Sequence, residues 1–227
     1  MNPNTIPHMI MLDIETTGVD FKKDDIIQIA GVDMQLRTVP DTGLKLWRSG
    51  GHFEMKLHTD KKPTSAFAKK HMKSLYKICH CVPKRTSSKV RVELMRSLLN
   101  LWPWYKEPIQ FAGWNAGIFD VTFLREKKYL LPSGYRIVKG HEELTGDYHY
   151  RVYGIEGMFQ GIMDAHGVTK EQLEGKLKEM PATIDFDLVA GKKGHDALYD
   201  CYDQIDVLNK LIQLTRLGIE RTTFPVI

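Results

Sequence analysis

Two acidic residues end an apolar stretch near the start of the chain. Residues 9–12 (MIML) are typical of a strand covered on both faces, and Asp13, Ile14 and Glu15 follow directly. Side chains alternate along a strand, so Asp13 and Glu15 share one face and Ile14 points to the other. An ionised carboxylate is costly to bury unless it is paired or binds a metal. The simpler explanation is a strand that becomes polar as it reaches the surface. A metal-binding or paired site is the better explanation only if the rest of the chain supplies partners for the two carboxylates.

Three later residues are candidates for those partners. Asp120 follows the predicted strand 108–114 and falls in the first turn of a helix, where an acid is also the ordinary choice. His195 and Asp200 flank the start of the last helix, and on an ideal helix positions five apart lie roughly 140° apart. The two converge if His195 lies on the loop that enters the helix, which Gly194 permits.

The charge is divided unevenly along the chain. The 227 residues carry 32 basic and 28 acidic side chains, a net charge of +4. Residues 61–96, called here the basic segment, contain eleven Lys or Arg and one acid, so this segment carries +10 and the remainder −6 (21 basic against 27 acidic). A basic segment on an acidic body favours a phosphate-rich partner. A lysine-rich helix that only aids solubility is the competing explanation.

The pattern of elements predicts an α/β fold with a mixed sheet. Three strands open the chain, with the second over 26–34 and the third over 51–58, and a strand over 108–114 follows later. Helices are predicted over 64–82, 89–101, 155–166, 169–180 and 196–217, and a shorter one runs from about 119 to 128. Residues 129–151 read as irregular. On the helix over 64–82, Lys69, Lys73 and Lys77 form a basic ridge opposite an apolar face.

The order of these motifs resembles that of a known enzyme family. A D-x-E at Asp13 and Glu15, an Asn…Phe-Asp element ending at Asp120, and an H-x4-D from His195 to Asp200 resemble the DEDDh family of 3′→5′ exonucleases. Among these, the chain looks closest to the DexA exonucleases of tailed phages. One departure concerns Asn115, which precedes Asp120 by five positions where the family usually has four, and this leaves the role of Asn115 open.

The resemblance implies an RNase H-like core, with a five-stranded mixed sheet flanked by helices. It implies one exonuclease domain over 1–227, with a basic helical insertion at about 61–106. It also implies that the four acids bind two divalent metals, Mg2+ or Mn2+, which activate water and stabilise the leaving oxygen of an in-line phosphoryl displacement. His195 takes the proton from that water, since imidazole exchanges protons near neutral pH.

Further residues are expected to contact the substrate. The resemblance places Thr16 and Thr17 against the terminal sugar, and Phe119 is a candidate for stacking on a base. A core contact with Phe123 explains Phe119 equally well. Lys69, Lys73 and Lys77 are expected to guide the strand toward the metals.

The expected activity is release of nucleoside 5′-monophosphates from 3′ ends of single-stranded DNA. RNA or short oligoribonucleotides are the alternative substrates, and a catalytically silent nucleic-acid-binding module is the alternative of another class. Three cysteines and an N-terminus unlike a secretion signal predict a cytoplasmic location, that of the host cell if the chain is phage-encoded. No membrane association is expected, and the sequence names no protein partner.

Overall fold

A computed structural model gives the architecture. It describes residues 8–102, 109–131, 135–138, 141–144 (for these two short stretches the backbone alone), 148, 152–192 and 194–216. The strands are β1 His8–Thr16, β2 Ile26–Thr38, β3 Lys45–Lys56, β4 Phe111–Gly113, β5 Tyr135–Val138, β6 His141–Leu144 and β7 Tyr153–Gly154. The helices are α1 Ala66–His71, α2 Lys73–His80, α3 Ser87–Leu101, α4 Asp120–Glu126, α5 Ile155–His166, α6 Lys170–Glu179 and α7 Ala197–Arg216, with a short 3-10 helix at Phe186–Val189.

A mixed five-stranded sheet forms the centre of the fold. Its strand order is β3-β2-β1-β4-β7, with β1 antiparallel to β2 and parallel to β4, and β4 parallel to β7. β5 and β6 form a separate two-stranded hairpin in the region expected to be irregular. Because β1 and β4 run in the same direction, their carboxyl ends lie at the same edge of the sheet. The acids of β1 and the turn that leads to α4 therefore meet at that edge.

The two faces of β1 pack against different helices. Met9 and Met11 belong to the core cluster that contains the buried face of α7. Ile10, Leu12 and Ile14 belong to the cluster formed with α3 and α4. By alternation, Asp13 and Glu15 continue the row of Met9 and Met11 toward α7. The predicted division of this strand into two faces is confirmed.

The basic segment forms α1, α2 and α3 over its described part. A single helix was expected over 64–82, but the chain breaks at Met72, whose backbone (φ −101°, ψ 10°) leaves the helical region. The predicted apolar face is confirmed, since Ala68, Met72, Leu75 and Cys79 form a small buried cluster with Ile27 of β2. The buried face therefore continues across the break from α1 to α2. The expected end of the insertion, near 106, lies outside the described residues.

The remaining helices follow the predicted periodicity closely. Thr169 caps α6 in a capping box with Gln172, and Gly167 ends α5 in the left-handed conformation at φ 59°. Among the described residues, no helix combines the length and apolarity needed to cross a bilayer.

Candidate active site

Three elements bring the predicted acids together at the carboxyl edge of the sheet. Asp13 and Glu15 lie at the end of β1, and Glu15 is buried. Asp120 opens α4 and is 3% exposed, and its Oδ1 accepts a 2.9 Å hydrogen bond from the backbone N–H of Ile14. This bond ties the first turn of α4 to β1, between the two acids of that strand. The sequence pattern had placed Asp120 in this turn, and the structure confirms that placement.

The fourth acid and the histidine come from the start of α7. The backbone N–H of His195 donates a 3.0 Å hydrogen bond to Oδ2 of Asp200. Ligand atoms of Glu15, His195 and Asp200 all lie within 4.8 Å of one another. His195 does lie on the loop before the helix, but Gly194 does not supply the turn: His195 itself adopts the left-handed conformation, at φ 68°. A non-glycine residue in this region is uncommon and is held there by its surroundings.

Burial raises the pKa of all four carboxyls. Loss of solvent is the largest cause at each; it raises the pKa of Glu15 to about 9, of Asp120 to about 7 and of Asp200 to about 6. The pKa of Asp13 lies well above its ordinary value, because burial is reinforced by repulsion from Asp120, Glu15 and Asp200. The side-chain hydrogen bond between Glu15 and Asp200 raises the pKa of Glu15 further and lowers the pKa of Asp200. The site therefore holds more negative charge than its surroundings neutralise.

This donor set fits divalent cations. The four carboxylates offer hard oxygen ligands, the type that Mg2+ and Mn2+ prefer. Burial, reinforced by neighbouring acids, raises the pKa values of these carboxyls, and a bound cation would supply positive charge and displace the protons. Asp13, Glu15, Asp120 and Asp200 are thus the residues suited to hold the metals that the fold implies.

One glutamine that sequence reasoning missed connects two of these elements. Nε2 of Gln204 on α7 donates a 2.9 Å hydrogen bond to Oδ1 of Asp13, and Oε1 accepts one of 2.8 Å from the backbone N–H of Trp114. Gly113 makes room for this contact, since a Cβ there would lie 2.7 Å from the carbonyl oxygen of Leu12 and 3.3 Å from Oε1 of Gln204. The available signal was its position one turn after Asp200 on the same helix.

A second set of residues that the sequence analysis did not identify binds the loop of His195 to β2 and β3. Lys192 Nζ donates to Glu54 Oε2 at 2.7 Å and to Asp196 Oδ2 at 3.1 Å. Gln28 of β2 donates to Glu54 and accepts from the backbone N–H of Ala197, the first residue of α7. The start of α7 is therefore fixed to two strands of the sheet. Nothing in the local pattern of the sequence indicated the bonds from this loop to β2 and β3, which span more than 130 residues.

Thr16 and Thr17 lie beside the acids, and both are buried. Oγ1 of Thr16 donates to the carbonyl of Gly18 at 2.5 Å. Oγ1 of Thr17 accepts from the backbone N–H of Asp25 at 2.9 Å and contacts Asp24 at 3.4 Å. In this structure the two hydroxyls thus organise the turn between β1 and β2.

Phe119 directly precedes the first residue of α4. Its ring packs edge-on against Phe123, with 5.1 Å between ring centroids, and lies 6.4 Å from Phe21. It is half-buried, so the contact with Phe123 that the helical spacing predicted is present and part of the ring still reaches solvent. Asn115 adopts the left-handed conformation at φ 56°, where Asn is favoured among non-glycine residues, and its carbonyl accepts from the N–H of Phe119. Its visible role is to form the turn before α4.

The three lysines of the predicted ridge are exposed but lie on two helices. Lys69 is on α1, whereas Lys73 and Lys77 lie one turn apart on α2. The segment that carries them reaches the site, because Phe67 of α1 lies 4.7 Å from His195 between ring centroids. A solubilising helix that points away from the acids is the competing explanation for the lysines, and the contact of Phe67 bears on α1 alone.

A cleft of about 490 Å³ opens beside the acids. Asp13, Asp200 and Gln204 form one end, and side chains of α5, α6 and α7 line the rest, including Phe159, Leu177 and Lys178. Trp114, at the exit of β4, packs edge-on against Phe159 within it. The cleft offers apolar surface next to the carboxylates.

Solved structures with this architecture are known. The cell-death related nuclease CRN-4 matches with a TM-score of 0.57 at 14% identity, and exonuclease I with a TM-score of 0.53 at 13% identity. The chain has an RNase H-like fold. Both matches cover 92% of the chain, which spans 64% of CRN-4 and 41% of exonuclease I, less than two thirds of either. No family model and no curated protein matches the sequence. Likeness at this level of identity establishes the fold, and the narrower relation to phage exonucleases stays a prediction.

Proposed function

We propose that the protein is a metal-dependent 3′→5′ exonuclease that releases nucleoside 5′-monophosphates from single-stranded DNA. The observation that carries the proposal is the convergence of four carboxylates from β1, α4 and α7, two of them buried and two half-buried, with a histidine beside them. Both solved neighbours are nucleases by name. Carboxyls with strongly raised pKa values that cluster in one place are typical of functional sites.

Each residue of the site has a part in this proposal. Asp13, Glu15, Asp120 and Asp200 hold the metals, and Gln204 orients the carboxylate of Asp13. When bound, two divalent cations supply a water nucleophile at neutral pH and stabilise charge on the attacking and leaving oxygens. His195 accepts the proton of that water. Thr16, Thr17 and Phe119 are proposed to contact the 3′-terminal nucleotide, and a cytoplasmic location and a single domain over 1–227 belong to the same proposal.

The basic segment is proposed to bring the strand to this acidic centre. An acidic site repels phosphate, so a separate cationic surface is needed to raise the local concentration of substrate. Lys69, Lys73 and Lys77 are all exposed, and α1 contacts the histidine of the site.

The test is hydrolysis of matched substrates by the purified chain. Single-stranded DNA, RNA and dinucleotides carrying a 5′ label are incubated with Mg2+, Mn2+ or a chelator. We expect a ladder that shortens from the 3′ end of DNA, only with metal, and none with Asp13→Asn. Asp41→Asn, at an exposed turn between β2 and β3, is the matched control and should stay active.

The outcomes separate the alternatives. Faster hydrolysis of RNA than of DNA would make RNA the substrate and leave the proposed reaction unchanged. Binding of nucleic acid without hydrolysis under any metal would make the protein a silent binding module. An Asp13→Asn variant with full activity would remove the four acids from the reaction.

A further inference from the structure

Two aromatic side chains of α1 contact the imidazole of His195. The ring centroid of Phe67 lies 4.7 Å from that of His195 with the planes at 89°, an edge-to-face arrangement. The ring of His71 also lies at 4.7 Å, with the planes at 57°. Phe67 and His71 are four positions apart, adjacent on one face of the helix, and their own rings are 4.8 Å apart. The imidazole is thus contacted by a pair of rings from one helix face.

These contacts matter because the backbone conformation of His195 does not by itself fix the orientation of the imidazole. Its left-handed conformation persists only where the surroundings support it. The hydrogen bond to Asp200 fixes the backbone N–H, and Lys192 fixes the next residue, Asp196. Glu15 and Asp200 present carboxylate oxygens within 4.8 Å of an imidazole nitrogen, and the aromatic packing contacts to the ring come from α1. Backbone and ring are therefore positioned from two different parts of the chain.

α1 is attached to β1 rather than loosely tethered. The N–H of Thr64 donates a 2.7 Å hydrogen bond to the carbonyl of Thr17, just past the end of β1. Ser65 caps the helix, and Ala68 is buried against Ile27 of β2. A short path of contacts therefore runs from the strand of Asp13 and Glu15 through α1 to the imidazole.

Phe67 is not a core residue. It is 54% exposed, so its ring adds little to the buried apolar area of the fold. The neighbouring Lys69 and Lys70 are exposed as well, and such a basic surface has no need of a large apolar ring. Contact with His71 and His195 is the visible role of that ring.

We infer that α1 is part of the active site and that Phe67 and His71 are positioning residues for the imidazole of His195. The inference rests on the proposed nuclease function, because it assigns α1 a role in that reaction. The basic segment then has two tasks: its lysines attract the strand, and its aromatic pair sets the direction from which His195 meets the water. A general base acts only when its nitrogen lies within hydrogen-bond reach of the proton that it removes.

A double-mutant cycle tests the positioning role. Phe67→Ala should lower kcat by about 10- to 100-fold, the loss typical of a small misplacement of a reacting group, with KM unchanged. In the His195→Ala background it should cause no further loss, since the group that it positions is gone. Phe67→Tyr should restore the rate, and His71→Ala should act like Phe67→Ala. Ile78→Ala, at another exposed apolar side chain of the same segment, is the matched control.

A second readout needs no activity. In the metal-free protein, the imidazole resonances of His195 should shift and change width in Phe67→Ala and stay in place in Ile78→Ala. Unchanged resonances, or equal losses of kcat with and without His195, would overturn the positioning role while leaving the nuclease intact. A wild-type chain inactive on every substrate would overturn the proposed function first, and the role of α1 with it.

Discussion

His195 combines a rare backbone conformation with two possible uses of its side chain. It can serve as the general base, or it can join Glu15 and Asp200 as a ligand, since the three present ligand atoms within 4.8 Å. Its backbone N–H donates a hydrogen bond to Asp200, so the position of His195 depends on Asp200 in either role of the ring. The proposal assigns the ring to proton transfer, and a substitution separates the two.

Replacing His195 by Ala is expected to lower kcat by about 10²–10⁴-fold, the usual contribution of a general base. Affinity for Mn2+ should stay close to that of the wild type, because the four carboxylates remain. Steady-state kinetics on single-stranded DNA and calorimetric titration with Mn2+ measure the two quantities. His166→Ala, on the exposed side of α5, is the control. A large loss of Mn2+ affinity would make His195 a metal ligand instead.

Gln204 is expected to act on the metals through Asp13. Removing an outer hydrogen-bond partner of a metal ligand typically costs about 10- to 100-fold in metal affinity or activity, so Gln204→Ala should weaken Mn2+ binding by that factor. Gln213→Ala changes the same residue type further along α7 and should bind Mn2+ normally. If the two variants bind Mn2+ equally well, the bond between Gln204 and Asp13 does not orient the ligand.

At the scale of the elements, the proposed function gives the basic segment the task of attracting an anionic polymer to an acidic centre. α1 contacts His195, and α2 continues from it with Lys73 and Lys77 on one face. The break at Met72 separates Lys69 from these two, so the expected continuous ridge is two short cationic patches. A strand drawn to α2 would reach His195 along α1.

Substituting Lys69, Lys73 and Lys77 together by Gln should weaken binding of long single strands and flatten its dependence on salt. For single strands, each lysine that no longer neutralises a phosphate reduces the slope of log affinity against log salt by about 0.7. Hydrolysis of dinucleotides should be spared. Fluorescence anisotropy at several salt concentrations measures the slope.

The matched control removes the same charge elsewhere. Arg37, Lys45 and Arg48 are exposed where β2 and β3 pair, at the end of the sheet opposite to the acids. Their triple Gln variant should keep the wild-type slope. Equal slopes for both triple variants would mean that net charge attracts the strand and that the basic segment has no special part.

At the scale of the whole molecule, the sequence predicted the positions of the candidate site residues better than the contacts that hold them there. D-x-E at a strand end, an acid in the first turn of α4 and H-x4-D at α7 are local patterns, and each lies where local rules place it. The contacts of Gln204 with Asp13 and of Phe67 with His195 join residues more than 120 positions apart, so no local period reveals them. The break at Met72 has no local signal either, because neither Gly nor Pro occurs at residues 71–73.

The metal-free protein should lose stability as the pH rises. An unfolded carboxyl titrates near pH 4, whereas burial raises the pKa of Asp200 to about 6, of Asp120 to about 7 and of Glu15 to about 9. Between these values the folded chain binds more protons than the unfolded chain, so the free energy of unfolding falls as pH increases. The stability that these protonated acids provide is complete below pH 4 and is lost progressively up to about pH 9. Melting temperature in a chelator should therefore drop from about pH 5.5 to about pH 8.5.

Glu15→Gln should flatten this drop, because it removes a carboxyl whose pKa burial raises to about 9 while it keeps the shape of the side chain. Glu126→Gln, at an exposed acid of α4, should leave the drop unchanged. Adding Mn2+ should raise the melting temperature of the wild type most at high pH, where it competes with the fewest protons. Thermal melts followed by circular dichroism, with and without Mn2+, give all of these values. A wild-type melting temperature that does not change with pH over this range without metal would mean that burial does not raise the pKa values of these carboxyls, and the metal-binding assignment would lose its electrostatic basis.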